Sequence, residues 1–138
     1  MIQIQQNYSA SKQKLWEAIT NTQQMKDWYF DIKPFDLEKG EEFTFYEPGG
    51  ENKYLHLCKI VQVISQQLFQ HTWQHPNNSK GISMVTWEIS GDENNSQLNF
   101  SHEGIENMRE AGEDFKEENY QAGWSELIKQ SLKNYLEQ

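Results

Sequence analysis

Residues 114 to 136 constrain the fold more than any other stretch. At an advance of about 100° per residue, Tyr120, Trp124, Leu127, Ile128, Ser131, Leu132 and Tyr135 fall on one face, opposite Glu126, Lys129, Lys133 and Glu137. The spacing predicts one long amphipathic helix, which needs a broad apolar surface to lie on. Asp114 followed three residues later by Glu117 reads as a capping box, and Glu113, Asp114, Glu117 and Glu118 place negative charge at the helix start. Two residues on the apolar face are small, Gly123 and Ser131. A glycine inside a helix costs about 1 kcal/mol relative to alanine, so Gly123 predicts close approach of another backbone or of a bound molecule.

The preceding chain supplies the surface. Residues 1 to 8 alternate as a strand, and Ser11 is a good N-cap for a helix carrying Leu15, Trp16, Ala18 and Ile19. Asn21 and Thr22 end it before a second short helix with Met25 and Trp28. Strand patterns then follow at 41 to 46, 54 to 64, 68 to 73, 82 to 89 and 97 to 102, punctuated by Pro48-Gly49-Gly50, His75-Pro76-Asn77-Asn78 and a tight turn at 91 to 95. Val85, Trp87 and Ile89 share one face, as do Leu98, Phe100 and His102. A strand, two short helices, a meander of strands and one long helix make an α+β layer architecture in a single domain over residues 1 to 138.

Composition narrows the function. The formal charge of -9, with no clustering of the 12 Lys and Arg, argues against a phosphate-backbone partner, so no nucleic acid is expected. There is no apolar run of membrane-spanning length and no secretory leader pattern, which makes no membrane and a cytoplasmic location the expectation. The lone Cys58 reads as a small buried hydrophobe. No phosphate loop, zinc-type cysteine pattern or nucleophile motif is present, so no cofactor, no metal and no catalytic residue is expected. The acidic run from 103 to 118 reads as a solvated face.

Taken in order, the run from Ser11 to Thr20, Trp28-Tyr29, the run from Leu68 to Trp73, the run from Val85 to Ile89, His102-Glu103-Gly104, and Gly123-Trp124 through Tyr135-Leu136-Glu137 resemble the START-like (SRPBCC) superfamily. Within it they are most similar to the domain related to the activator of the heat-shock protein 90 ATPase. That resemblance implies a helix-grip fold, a curved antiparallel sheet of about six strands wrapped around a long C-terminal helix with two short helices after the first strand. It also implies a cavity between sheet and helix that takes an apolar or aromatic ligand. Cys58 stands where such domains often have glycine, and the extra N-terminal domain of full chaperone activators has no counterpart here.

The expected lining of that cavity is Trp28, Phe43, Phe45, Trp73, Trp87, Phe100, His102, Tyr120, Gly123, Trp124, Leu127 and Ser131. His102 is a candidate polar anchor at the rim; the plainer reading is a strand-end histidine bonded to backbone or water. Tyr120 and Tyr135 could offer phenolic donors, or serve as core rings with their hydroxyls at the edge. His71 and His75 flank a strand end, so their four-residue spacing does not imply metal binding. An empty space of about 300 Å³ would cost roughly 7 kcal/mol, close to the whole stability of a domain, so either the aromatics fill it or water or a ligand does. Three functions follow: a small-molecule binding domain, a chaperone-associated interaction module, or an enzyme of cyclase or hydrolase type. The first is preferred, in a monomer or homodimer.

Overall fold

The computed structural model describes residues 1–138. Strand β1 (Ile2–Tyr8) leads into α1 (Lys12–Thr20) and α2 (Thr22–Trp28), followed by β2 (Glu42–Tyr46), β3 (Leu55–Ile64), β4 (Leu68–Trp73), β5 (Ser83–Gly91) and β6 (Ser96–Glu103). The helix starts are set by side chains: Ser11 Oγ accepts from Lys14 N–H at 3.1 Å, and Asn21 Oδ1 accepts from Gln23 N–H at 2.9 Å. All neighbouring strands pair antiparallel, in the order β1-β6-β5-β4-β3-β2, leaving an open sheet with β1 and β2 at its edges. β3 carries a bulge between Ile60 and Gln62, a device that bends a strand.

Strand alternation decides what faces inward. Ile2, Ile4 and Tyr8 of β1, Leu98, Phe100 and His102 of β6, Val85, Trp87 and Ile89 of β5, and Phe69, His71 and Trp73 of β4 are all buried on one face. The C-terminal helix covers that face through Trp124, Ile128 and Leu132, all buried. At about 2 kcal/mol each these three side chains contribute roughly 6 kcal/mol of burial, an upper figure. No helix is long and apolar enough to cross a membrane.

The C-terminal helix is continuous but not uniform. α3 (Glu117–Ser125) passes through a wider π turn (Glu126–Ser131) into α4 (Leu132–Leu136), and the junction residues Ser125, Glu126, Ser131 and Leu132 all keep right-handed helical dihedrals. Leu132 N–H bonds five residues back to Leu127 O, while the buried Tyr8 hydroxyl donates to Ile128 O at 2.8 Å.

Three expectations are corrected. The capping box at Asp114 does not form: the helix begins at Glu117, and Lys116 makes no side-chain cap. Asp114 instead sits in a single 3-10 turn (Glu113–Phe115) that buries Phe115, and its carboxylate accepts from the Tyr54 hydroxyl. The acidic run is solvated only in its carboxylates, because Ile105, Met108 and Phe115 anchor it to the core. Gly123 faces solvent, and a Cβ built on it would meet nothing within 4 Å. One residue from Trp124 is about 100° around the helix, enough to turn Gly123 off the buried stripe, so no other backbone approaches it.

Candidate functional site

The inner face of the sheet is aromatic and carries four buried imidazoles, which are all the histidines of the chain. An indole N–H can only donate, so each tryptophan bonded to a histidine marks the unprotonated ring nitrogen. Trp87 Nε1–H donates to His71 Nε2 at 3.1 Å, leaving His71 Nδ1–H for Thr72 O at 2.9 Å. His75 Nε2 accepts from Trp73 Nε1–H at 3.3 Å and from the Tyr120 hydroxyl at 2.8 Å, with Nδ1–H on Leu55 O at 3.2 Å. Trp124 Nε1–H reaches down from the helix to His102 Nδ1 at 3.0 Å. That fixes His102 Nε2–H as a donor to Ser83 Oγ at 2.8 Å, and the Ser83 hydroxyl in turn donates to Trp73 O at 2.7 Å.

Burial holds all of these rings neutral. It pushes His71 and His75 down to about 4, with the nearby His56 adding to the effect on His75, and pushes His102 down to about 3, helped by His71 and His75. The Ser83–His102 pair resembles a nucleophile and base in composition only. The proton sits on Nε2, facing the serine, so the ring has no lone pair to take the serine's proton, and both residues are buried. No cluster of three His, Cys, Asp or Glu side chains is placed to hold a metal.

The space between sheet and helix is occupied by rings. Trp124 lies 4.5 Å from Phe100, 5.1 Å from Trp73 and 5.8 Å from Trp87, centroid to centroid. Open space adjoins this cluster at one end, in a solvent-facing cleft of about 560 Å³ between the chain after α2 and the β2–β3 turn. Tyr29, Phe30, Phe45, Tyr46 and Leu55 form its apolar walls, with Lys26 among the polar ones. Tyr29 connects cleft and core, stacked at 6.1 Å on Trp124 and edge-on at 5.9 Å to Trp87. A second cleft, of about 590 Å³, lies between the 3-10 segment (Ile105–Ala111) and the start of α3; its walls are largely charged and hold none of the expected site residues.

Of the expected lining, Phe45 alone reaches the aromatic cleft. Trp28, Phe43, Trp73, Trp87, Phe100, His102 and Trp124 are buried core, and His102 is not at a rim but 0% exposed. Tyr120, Leu127 and Ser131 are half-buried; the Tyr120 hydroxyl is taken by His75, and that of Ser131 donates to Trp28 O at 2.6 Å. Gly123 is out of the site. Sequence reasoning missed Tyr29, Phe30, His56, His71 and His75. The alternation of Phe69, His71 and Trp73 along β4, continued by His75 just past its end, was the available signal that these side chains share the inner face.

The profile of the family "Activator of Hsp90 ATPase homolog 1-like protein" matches residues 9–137. No curated protein sequence matches the chain. Among solved structures, protein MLL2253 from Mesorhizobium loti superposes with a TM-score of 0.77 at 18% identity, over 99% of this chain and 96% of that one. An HSP90 activator from Plasmodium falciparum gives 0.71 at 20% identity, over 99% and 95%. The Aha1 dimer from Colwellia psychrerythraea gives 0.67 at 22% identity, over 99% and 97%. The helix lying on an open antiparallel sheet is the fold these structures share, and with the family profile spanning all but the ends of the chain, the protein belongs to the family of Activator of Hsp90 ATPase homolog 1-like proteins.

Proposed function

We propose that residues 1–138 act as one START-like domain that binds a small apolar or aromatic molecule without transforming it, at the cleft beside Tyr29, Phe30 and Phe45. The supporting observation is that two of the rings walling this open cleft, Tyr29 and Phe45, also pack on the tryptophan cluster under the helix. A guest ring entering there exchanges water for aromatic faces without opening a void. Burying about 200 Å² of such a guest contributes roughly 5 kcal/mol, which corresponds to a Kd of about 0.2 mM before any polar contact.

The test is a panel of apolar aromatic compounds read by tryptophan emission and thermal unfolding. A guest at 100 times its Kd adds about 2.7 kcal/mol to stability, well within detection. A panel that moves neither signal would overturn the binding reading. The full engagement of His71, His75 and His102 favours binding over a cyclase or hydrolase, which needs titratable groups free to meet a substrate.

A second reading, a chaperone-associated module, is favoured by the family match and by the Plasmodium falciparum structure. Retention of a 90-kilodalton-class chaperone ATPase on the immobilised domain, with stimulated ATP hydrolysis, would support it. The Colwellia psychrerythraea structure makes a homodimer the alternative to a monomer, which sedimentation resolves.

A further inference from the structure

His56 differs from the other three imidazoles. Its Nδ1–H donates to Phe45 O at 3.1 Å, and it stacks on the Phe45 ring at 4.4 Å with 10° between planes, yet Nε2 makes no hydrogen bond. The residue is 7% exposed. Burial disfavours its protonated form, against weaker opposing influences from Phe45 O, the Glu47 carboxylate and Tyr54 O, so Nε2 is a lone pair with no donor in the protein. The nitrogen is not sealed from solvent, so a guest that covers it without donating would strand a polar acceptor, which is costly. Phe30 lies 5.7 Å from the His56 ring and 4.6 Å from Phe45, and it also walls the cleft. It belongs to the irregular chain after α2, with no helix or strand hydrogen bonds to hold it. Tyr29, next to it, carries a hydroxyl with no partner in the protein.

The neighbouring ring shows what such a site accepts. His75, 4.6 Å from His56, is arranged the same way, with Nδ1–H on a backbone carbonyl, and the shorter of the two bonds to its Nε2 comes from a phenol, the Tyr120 hydroxyl at 2.8 Å, against 3.3 Å from the Trp73 indole. Building on the binding reading above, we propose that the guest is a hydroxyl-bearing aromatic, whose ring displaces Phe30 from the mouth and whose O–H donates to His56 Nε2. The charged groups of the cleft wall, Lys26 and Lys33 against Asp31 and Glu47, balance; a carboxylate would still bring its own lone pairs against that nitrogen, so neutral donors are selected over anions.

The test compares naphthalene, 2-naphthol and 2-naphthoate by amide chemical-shift titration of the full chain near pH 7. The expected result is that 2-naphthol binds about 3- to 10-fold more tightly than naphthalene, the gain of one hydrogen bond, and that 2-naphthoate does not exceed naphthalene. His56→Phe should bring 2-naphthol to the level of naphthalene. The unmodified protein gives an independent readout, because the His56 Nε2 nitrogen resonance should move upfield when 2-naphthol donates to it. Equal affinity for naphthalene and 2-naphthol, tightest binding of 2-naphthoate, an advantage that survives His56→Phe, or an unmoved Nε2 resonance would each overturn the donor preference while leaving the binding reading standing. Failure of all three compounds to bind would overturn the binding reading itself.

Discussion

The closed end and the open end of the inner sheet face use the same residue types to opposite effect. Under the helix, His71, His75 and His102 have both ring nitrogens occupied, three tryptophans serving as donors. At the open end, Tyr29 on the cleft wall and His56 behind Phe30 and Phe45 each keep a polar atom without a partner in the protein, and the rings of the wall border solvent. The difference teaches that aromatic content alone does not make a binding site. Where every polar edge has a partner, rings build a core; where edges are left over beside an opening, they can receive a guest.

The largest effect expected is acid sensitivity. All four imidazoles are pushed down from about 6.5, His56, His71 and His75 to about 4 and His102 to about 3, chiefly by burial. An unfolded chain therefore binds more protons than the folded one between those limits, so stability is full above pH 6.5 and falls as pH drops toward 4. The slope is roughly 1.4 kcal/mol per pH unit for each histidine that is neutral when folded and charged when unfolded. Urea unfolding at stepped pH measures it. A flat profile from pH 7 to 4 would mean that the core opens to admit protons, and the contrast between the two ends would collapse.

Next in size, Trp124→Phe keeps a ring under the helix but removes the donor to His102 Nδ1, at a cost of about 1 to 3 kcal/mol for the stranded acceptor beyond any packing change. Equilibrium denaturation reports it, and a loss below 0.5 kcal/mol would remove the Trp124–His102 bond from the closed end's account. Gly123→Ala belongs to neither region and serves as a reference. Its Cβ meets open space in a helix interior, so stability should rise by about 1 kcal/mol; a fall would return Gly123 to the packed face. The smallest effect is Tyr29→Phe. Deleting a hydroxyl that bonds to nothing should change stability by less than about 0.5 kcal/mol, in contrast with Tyr8→Phe, which removes the buried bond to Ile128 O and should cost about 1 kcal/mol.

Most of the fold was legible because local chemistry and alternation agree. Ser11 and Asn21 cap where their side chains predict, and the inward sets of β5 and β6 follow from a period of two. The site was not legible to the same degree. Each tryptophan-to-histidine bond depends on strand register or on how the helix sits over the sheet, and neither is written in any short window: Trp87 meets His71 across β4 and β5, and Trp124 meets His102 from another layer. Phe30 carries no periodic signal because its backbone is irregular. Asp114 and Gly123 misled for a common reason, since local preferences for a cap and for a close approach yielded to the burial of Phe115 and Trp124 beside them.

The π turn at Glu126–Ser131 has a geometrical consequence for the seam between helix and sheet. Trp124, Ile128 and Leu132 are spaced by four, and in a helix of 3.6 residues per turn each such step swings about 40° around the axis, which would carry the third residue off the sheet. A turn closed five residues back winds less per residue, and the swing is cancelled across the middle of the seam. All three side chains then point down one line, and Ile128 O is presented to Tyr8 on the first strand. The helix thus works as a straight rail over a curved track, and a single loosened turn takes up one residue more than ideal winding would need: removing one residue between 126 and 131 would restore ideal winding and leave everything after it on the same line.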